Sequence, residues 1–252
     1  MIRVGELADR ARFKLGHLAP VKPSRLRLGN GALSITFDDF PGSAWTEAGP
    51  VLAQHKVHAT YFPSGGLCST NYLGVDQFTP RYLEEVAEAG HEIGSHAFDH
   101  VSVLGQSPTA FAASLSRNVD FLKGILPGRK VESFAYPFGH VSLSAKLKVA
   151  SEFRAGRGLG RAVNRGWVDL SQVEAVGLEK RQRRLHDLPA LIEKAAQSRG
   201  WLVVYTHDVS HAPSDWGCTP EEIDDLVRHA RQSGLDILPF GQVAANRIQE
   251  GP

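Results

Sequence analysis

The stretch LSITFDDF, residues 33–40, is an apolar, β-rich run that ends in two adjacent carboxylates, Asp38 and Asp39. The run predicts a buried strand, and the PGS that follows predicts a bend at its end. Successive strand residues point to opposite faces, so the bend is needed if both carboxylates serve one site. The simpler interpretation is that Asp38 caps a turn and that Asp39 is solvated.

Further strand-like runs alternate with segments of helical spacing, which is typical of repeated βα units. The strand-like runs are ALSITF (32–37), HATYFP (58–63), HEIGSH (91–96), VESFAYP (131–137), WLVVYTH (201–207) and LDILPF (235–240). The segments of helical spacing are residues 46–55, 79–89, 108–125, 185–198 and 220–232. This alternation favours an α/β barrel, with an open doubly wound sheet as the alternative.

No linker, low-complexity segment or repeat divides the chain. We therefore expect one domain over residues 1–252, with a core at about 33–240. The N-terminal extension, residues 1–30, is expected to form an extra helix or strand packed on the outside.

Composition narrows the possible functions and locations. The formal net charge is +1, so no global basic field favours nucleic acid as a partner. The first residues lack the apolar core of a secretory signal, and no later stretch has the length of a transmembrane segment. From these features we expect a cytoplasmic protein. The two cysteines, Cys68 and Cys218, are too few for a disulfide framework and are expected to be free thiols.

The run HEIGSHAFDH, residues 91–100, places His96 and His100 four positions apart. One helical turn would bring the two imidazoles together. Two imidazoles and one carboxylate form a common divalent-metal site, so this pair and the Asp38–Asp39 pair together favour metal binding. A single histidine without such a partner is more often structural.

Two further strand ends carry polar or turn-forming residues. FAYPFGH, residues 134–140, predicts an extended segment passing into a tight turn, and WLVVYTHD, residues 201–208, ends in His207. The DVSHAPSDWGCTP segment that follows is expected to line a cleft, with His211 and Trp216 as possible sugar contacts. The charged run EKRQRR, residues 179–184, is expected to be a solvated face.

These four strand ends, in this order, resemble the polysaccharide deacetylase family (carbohydrate esterase family 4, the NodB-homology domain). TFDD and SHxxxH are the most specific matches, and the resemblance runs from about residue 33 to residue 240. It implies a distorted (β/α) barrel of about seven strands and a metal-dependent deacetylase. The resemblance implies that Asp38 is the general base and that His207 is the general acid. It implies three metal ligands, Asp39, His96 and His100. It also implies an oxyanion turn formed by Tyr136, Pro137 and the backbone N–H of Phe138.

Amide hydrolysis explains why such a set is needed. An amide is a poor electrophile with a poor leaving group, so the site must activate a water, polarise the carbonyl and protonate the departing nitrogen. A divalent ion does the first two, while Asp38 takes the water's proton and His207 protonates the amine. Zinc is the expected ion, although Co, Ni, Mn or Fe can occupy such a site. The expected substrate is an N-acylated, in particular N-acetylated, amino sugar in a polysaccharide, an oligosaccharide or a surface-glycan precursor.

The sequence departs from the family pattern near the metal ligands. A Ser or Thr that usually follows the first metal histidine is replaced by Ala97, and Ser95 is a candidate substitute. A Gly that usually follows the two aspartates is replaced by Phe40, which is expected to narrow the cleft.

Two charged groups of the family are also missing from their usual places. The arginine that usually orients the base is replaced by Ala135, and three arginines remain as candidates for its role: Arg157, Arg161 and Arg165. The usual partner of the acid histidine has no clean counterpart. Asp169 is a candidate, with a solvated turn carboxylate as the alternative.

Two other functions also fit the sequence. The substitutions at Ala97 and Ala135 would suit a carbohydrate-binding protein that has lost catalysis. The same barrel could also hydrolyse a non-sugar amide such as an imide or a formamide.

Overall fold

The computed structural model of the chain describes residues 13–160, 162–183, 185–246 and 248–250. The first twelve residues of the N-terminal extension and Arg161 lie outside this range. The described helices are α1 (Ser43–Thr46), α2 (Ala48–Gln54), α3 (Pro80–Glu88), α4 (Pro108–Ile125), α5 (Leu143–Glu152), α6 (Leu188–Ser198), α7 (Pro220–Gln232) and α8 (Phe240–Asn246). Short 3₁₀ turns occupy Gly65–Leu67, Pro137–Gly139 and Lys180–Gln182, and residues 13–18 are also helical.

The described strands form one parallel sheet and three smaller sheets. They are β1 (Pro23–Leu26), β2 (Ala32–Asp39), β3 (Thr60–Pro63), β4 (Asn71–Tyr72), β5 (Val75–Asp76), β6 (Glu92–Ile93), β7 (Ser133–Ala135), β8 (Ala155–Arg157), β9 (Trp167–Asp169), β10 (Val176–Gly177), β11 (Trp201–Thr206), β12 (Asp236–Ile237) and β13 (Ile248–Glu250). The main sheet has the order β10-β11-β2-β3-β6, and β12 also pairs with β2. All six strand-like runs of the sequence therefore contain a strand.

Single bridges connect the main sheet to the parallel pair β7–β8. Ser95, just after β6, bridges to Phe134 on β7, and Arg157 on β8 bridges to Val173 ahead of β10. The strands thus follow one another around a distorted barrel, as predicted. Since parallel strands end at the same edge, their carboxyl ends bring residues from distant segments together.

The central strand β2 has two different faces. Leu33, Ile35 and Phe37 belong to the main hydrophobic core, which also contains buried residues of α2, α3 and α7. Each such large apolar side chain contributes about 1.5–3 kcal/mol when fully buried. Ser34 lies on the opposite face, where its hydroxyl binds the Leu238 carbonyl at 2.8 Å. Asp38 lies four residues after Ser34 on the same strand, so its side chain points to the same face as Ser34.

Capping residues explain most helix boundaries. Thr79, Ser107 and Thr219 each cap a helix through the side chain, and a proline follows each of them, as expected for a helix start. Helix α6 begins three residues later than predicted because Asp187 is its N-cap. The helix predicted over residues 46–55 is instead divided between α1 and α2. Among the described residues, no helix combines the length and hydrophobicity that a bilayer span requires.

The described part of the N-terminal extension contains a helix, residues 13–18, and strand β1. Strand β1 pairs antiparallel with both β9 and β13. The buried Lys146 on α5 donates to the carbonyl oxygens of Gly16 at 2.9 Å and Ala19 at 2.6 Å. Lys146 also forms an ion pair with Asp169 at 2.7 Å, so this buried lysine fastens the extension to the barrel.

Candidate metal centre and active site

The chain bends sharply at the end of β2. Asp39 and Phe40 adopt left-handed backbone conformations, with φ of 61° and 69°. This bend allows two adjacent carboxylates to reach one site. Phe40 is fully buried and its ring stacks on Phe78 at 5.2 Å. The expectation that Phe40 narrows the cleft is therefore wrong, because the ring turns into the core.

The structure brings the three predicted metal ligands together. Asp39 Oδ1 lies 3.4 Å from His96 Nε2 and 2.9 Å from His100 Nε2. One ligand atom from each residue lies within 4.8 Å of the others. The segment between the histidines is not the helical turn that we expected. Ala97 and His100 instead have positive φ values of 59° and 51°, and these turns bring the imidazoles together.

The protonation states of these residues suit a divalent ion. His96 Nδ1 donates to the Ala135 carbonyl at 2.8 Å, which leaves Nε2 facing Asp39 with its lone pair. Burial lowers the pKa of His96 to about 4, so the imidazole is neutral near pH 7. Burial alone would raise the pKa of Asp39, but the contact with His100 and the fields of His207 and His96 hold it well below its usual range.

One observation further supports a metal in this place. Asp39 Oδ1 is buried and lies close to the Nε2 atoms of His96 and His100 without forming a regular hydrogen bond to either. A buried carboxylate oxygen grouped in this way with two imidazole nitrogens is costly unless something binds between them. A neutral imidazole and an ionised carboxylate are the forms that coordinate divalent metals, so the residues fit the ion that the sequence predicts.

Side chains that the sequence did not single out hold the ligand segment. The Ser64 hydroxyl donates to the His96 carbonyl at 3.0 Å. Asn118 donates to Ser95 Oγ at 2.8 Å and to the Pro63 carbonyl at 3.0 Å. Ser95 thus takes part in fixing the segment, as proposed from the sequence, but it does so through Asn118 on α4.

Arg157 is the arginine that reaches Asp38. Its buried guanidinium group forms an ion pair with Asp38 Oδ2, and it also lies 5.0 Å from the ring centre of Tyr205. Arg157 is the register partner of Ala135 in the β7–β8 pair. The second candidate, Arg165, is exposed on a loop.

His207 lies near Oδ2 of Asp39, whereas His96 and His100 lie near Oδ1. It also faces the buried carboxylate of Glu179. Its Nε2 is 4.0 Å from Asp39 Oδ2, and its Nδ1 is 3.2 Å from Glu179 Oε1. Burial alone would lower the pKa of His207, but Glu179 and the two aspartates outweigh it and raise the pKa to about 9.

Sequence reasoning missed Glu179. The charged run predicts a solvated face for Glu179, which is wrong because the side chain is fully buried. Arg181 Nε at 2.8 Å and Gln182 Nε2 at 2.6 Å both donate to its Oε2. Glu179 follows shortly after strand β10, so the rule that identified the other strand ends could have found it.

Asp169 does not orient His207, and this prediction is also wrong. Besides its ion pair with Lys146, the Asp169 carboxylate accepts the N–H groups of Val21 at 3.1 Å and Lys22 at 2.9 Å. Asp169 is therefore a structural anchor for the N-terminal extension.

The predicted oxyanion turn lies at the site, but only one of its three side chains does. Tyr136 is fully buried and its hydroxyl donates to the Ser171 carbonyl at 2.9 Å. Pro137 is also buried. Phe138 has a φ of 59°, and its half-exposed ring lies 4.7 Å from that of His100. Tyr136 and Pro137 thus shape the turn, and Phe138 faces the cavity.

A cavity of about 470 Å³ is lined by the two aspartates, the three histidines and Glu179, namely Asp38, Asp39, His96, His100, His207 and Glu179. Its other walls are formed mainly by the β4–β5 hairpin, the Phe138 turn and the loop after His207, namely Tyr72, Leu73, Val75, Gln77, Phe138, His140, Leu159, Arg181, Ser214, Asp215 and Trp216. Trp216 lines the cavity, so this part of the segment lies at the cleft as expected, and its contact with a sugar stays a prediction. His211 lies outside it, 76% exposed and 3.2 Å from Glu221.

Known proteins resemble this chain in sequence. The family model described as Polysaccharide deacetylase matches residues 26–154. A peptidoglycan-N-acetylglucosamine deacetylase of Listeria monocytogenes is 34% identical over 79 residues, which are 31% of this chain and 15% of that protein. The match thus spans only a small part of the curated relative.

Solved structures share the fold. A Bacillus anthracis protein described as a pseudoenzyme of carbohydrate esterase family 4 superimposes with a TM-score of 0.60 at 16% identity, covering 90% of this chain and 70% of that one. A family 4 carbohydrate esterase from Streptomyces lividans, solved with acetate, gives a TM-score of 0.57 at 16% identity, covering 88% and 98%. At these identities the likeness concerns the fold alone.

Proposed function

Because the chain belongs to the polysaccharide deacetylase family, we propose that it is a metal-dependent hydrolase that removes an N-acyl group from an amino sugar. The observation that carries this proposal is the convergence of Asp39, His96 and His100 beside Asp38. A metal ligand set with a separate, unligated carboxylate next to it is what hydrolysis of an amide requires.

Asp39, His96 and His100 would hold the ion. When bound, a divalent ion polarises the acyl carbonyl and lowers the pKa of water. Two imidazoles and one carboxylate favour zinc, and the same donors also accept Co, Ni, Mn or Fe.

Asp38 is the proposed general base. Arg157 binds Asp38 Oδ2 and so fixes the carboxylate's orientation. The other oxygen, Oδ1, is buried and accepts no hydrogen bond from a described residue, so it is available to take a proton from water. The guanidinium group also offsets the charge that two neighbouring carboxylates concentrate here.

His207 is the proposed general acid. With Glu179 at its Nδ1 and a pKa raised to about 9, the imidazole is protonated near neutral pH and can give its Nε2 proton to the departing amine. Trp216 lies next to this imidazole, with ring centres 6.1 Å apart. An aromatic ring beside the acid suits a sugar that carries the amine. The proposed substrate is therefore an N-acylated amino sugar within a glycan or a glycan precursor.

The alternative of a binding protein without catalysis has some support, since one structural neighbour is described as a pseudoenzyme. In this chain, however, Arg157 pairs with Asp38, and the Ser64 hydroxyl holds the His96 carbonyl. A site that only bound sugar would not need a base and an acid on opposite sides of a metal ligand.

The Asp38→Asn variant separates the two functions. For an enzyme, we expect the variant to retain its metal and its affinity for an acetylated chito-oligosaccharide while acetate release falls at least about 100-fold. Asp225→Asn, which changes an exposed aspartate on α7, is the matched control and should release acetate like the wild type. Wild-type protein that binds the oligosaccharide, carries a metal and releases neither acetate nor formate from any amino sugar or imide would contradict the proposal.

A further inference from the structure

The tip of the β4–β5 hairpin carries Leu73 at a turn position whose backbone conformation disfavours leucine. Leu73 and Gly74 have positive φ values of 52° and 83°, and Gly, Asn and Asp are the residues that such turn positions favour. Leu73 is nevertheless a leucine, is 75% exposed, and lines the active-site cavity. A strained apolar residue at such a place points to a function in binding.

The hairpin is fixed relative to the candidate catalytic residues. The Gly42 N–H, three residues after Asp39, donates to the Asp76 carbonyl at 2.9 Å. Gln77 forms an antiparallel bridge with Pro41. Within the hairpin, Asn71 Nδ2 donates to Asp76 Oδ1 at 2.7 Å. These contacts hold the exposed leucine at the cavity rim.

The positions of the acid and of the ligands define which end of a substrate faces the hairpin. The amine must face His207, so the sugar that carries it lies beside Trp216. The acyl chain leaves the carbonyl carbon on the side away from the nitrogen. It therefore points away from His207 and towards the His100 side of the cavity. On the His100 side, the rings of Tyr72 and Phe138 lie 5.5 Å and 4.7 Å from the imidazole.

We propose that Tyr72, Leu73, Val75 and Phe138, here called the acyl wall, bind the acyl chain and select N-acyl groups longer than acetyl. This inference rests on the proposed function. An acetyl group presents one methyl, whereas the acyl wall extends from Phe138 beside His100 to Leu73 at the rim of the cavity. Each further methylene that leaves water for an apolar surface is worth roughly a fourfold factor, so a chain of four to six carbons gains from contacts that acetyl cannot reach.

The test compares kcat/KM for one chito-oligosaccharide carrying N-acetyl, N-butanoyl or N-hexanoyl groups. Butanoyl has two more methylenes than acetyl, so for the wild type we expect it to be removed up to about sixteen times more efficiently. Leu73→Asn, which suits the positive φ, should lower this ratio at least about threefold. Val75→Thr is a second variant with the same expected direction.

The control is Leu147→Asn, which changes a leucine of α5 that is 55% exposed and does not line the cavity. Its ratio should match the wild type. A readout that does not depend on turnover is calorimetric binding of the three oligosaccharides to Asp38→Asn protein, in which the butanoyl preference should persist and should fall on adding Leu73→Asn.

The outcomes separate this inference from the proposed function. If acetyl is removed and butanoyl is not, or if Leu73→Asn leaves the ratio unchanged, the acyl wall is overturned while the deacylase function stands. If no N-acyl group of any length is released, the proposed function fails and this inference fails with it.

Discussion

Ala135 on β7 and Arg157 on β8 are register partners in a parallel pair, and the guanidinium group of Arg157 binds Asp38. The resemblance to the family places an arginine at the position of Ala135. In this chain the cation instead comes from the neighbouring strand at the same level of the barrel. Because paired strands lie close together, an arginine side chain can reach Asp38 from position 157 as well as from position 135.

An arginine placed at position 135 should therefore partly replace Arg157 when Arg157 is removed. Arg157→Ala should lower kcat/KM at least about 100-fold, because Asp38 loses the group that orients it. It should also destabilise the fold by about 3–5 kcal/mol, since a buried carboxylate loses its partner. The double variant Ala135→Arg, Arg157→Ala should recover at least about tenfold in kcat/KM over Arg157→Ala alone.

The matched control for this pair is Arg165→Ala, which removes an exposed arginine. It should keep wild-type activity. If the double variant is as stable as the wild type but no more active than Arg157→Ala, then Arg157 does not orient Asp38 in the way described.

The contact between Glu179 and His207 predicts a specific pH profile. His207, with a pKa raised to about 9, loses its proton as pH rises through that value, so activity should decline there. Glu179→Gln removes a negative charge that favours the imidazolium, so the alkaline limb should move down by about one pH unit or more. Rates of acetate release from pH 6 to pH 10 measure this limb. Glu222→Gln, whose carboxylate pairs with Arg183, should leave it in place.

Asp169 should affect the stability of the fold and not the pKa of His207. Asp169→Asn breaks the ion pair with the buried Lys146, and loss of one partner of a buried pair costs about 3–5 kcal/mol. Urea unfolding measures this loss. The folded variant should retain the wild-type alkaline limb, whereas a limb displaced as far as in Glu179→Gln would restore Asp169 as the partner of His207.

His91 should make the fold sensitive to mild acid. Its buried Nδ1 accepts the Ala59 N–H at 3.0 Å, and burial together with His58 lowers its pKa to about 4. The unfolded chain binds a proton near pH 6.5 while the folded chain does not. Stability is therefore highest above about pH 6.5 and falls as pH drops towards 4, by up to about 3 kcal/mol.

Urea unfolding at pH 7 and pH 5 tests this contribution. His91→Gln should be less sensitive to pH than the wild type over this interval. His211→Gln, an exposed histidine, should show the wild-type sensitivity, and equal sensitivity in His91→Gln would argue against a neutral, buried His91.

The strand ends could be predicted from sequence because their signals are local. TFDD and SHxxxH lie directly after apolar runs, so Asp39, His96 and His100 could be grouped before any contact was known. The position of Arg157 could not be assigned, since three arginines fit and only strand register decides among them. Glu179 was missed because a charged run indicates solvent, while its burial depends on Arg181 and Gln182 turning back onto it.

The most direct test of the account is an anomalous diffraction map, recorded at the zinc edge, of protein crystallised without a chelator. We expect one strong peak about 2.0–2.3 Å from Asp39 Oδ1, His96 Nε2 and His100 Nε2, with Asp38 outside bonding distance. A map that shows no peak there after zinc is added, or a peak bound by Asp38 as well, would contradict it.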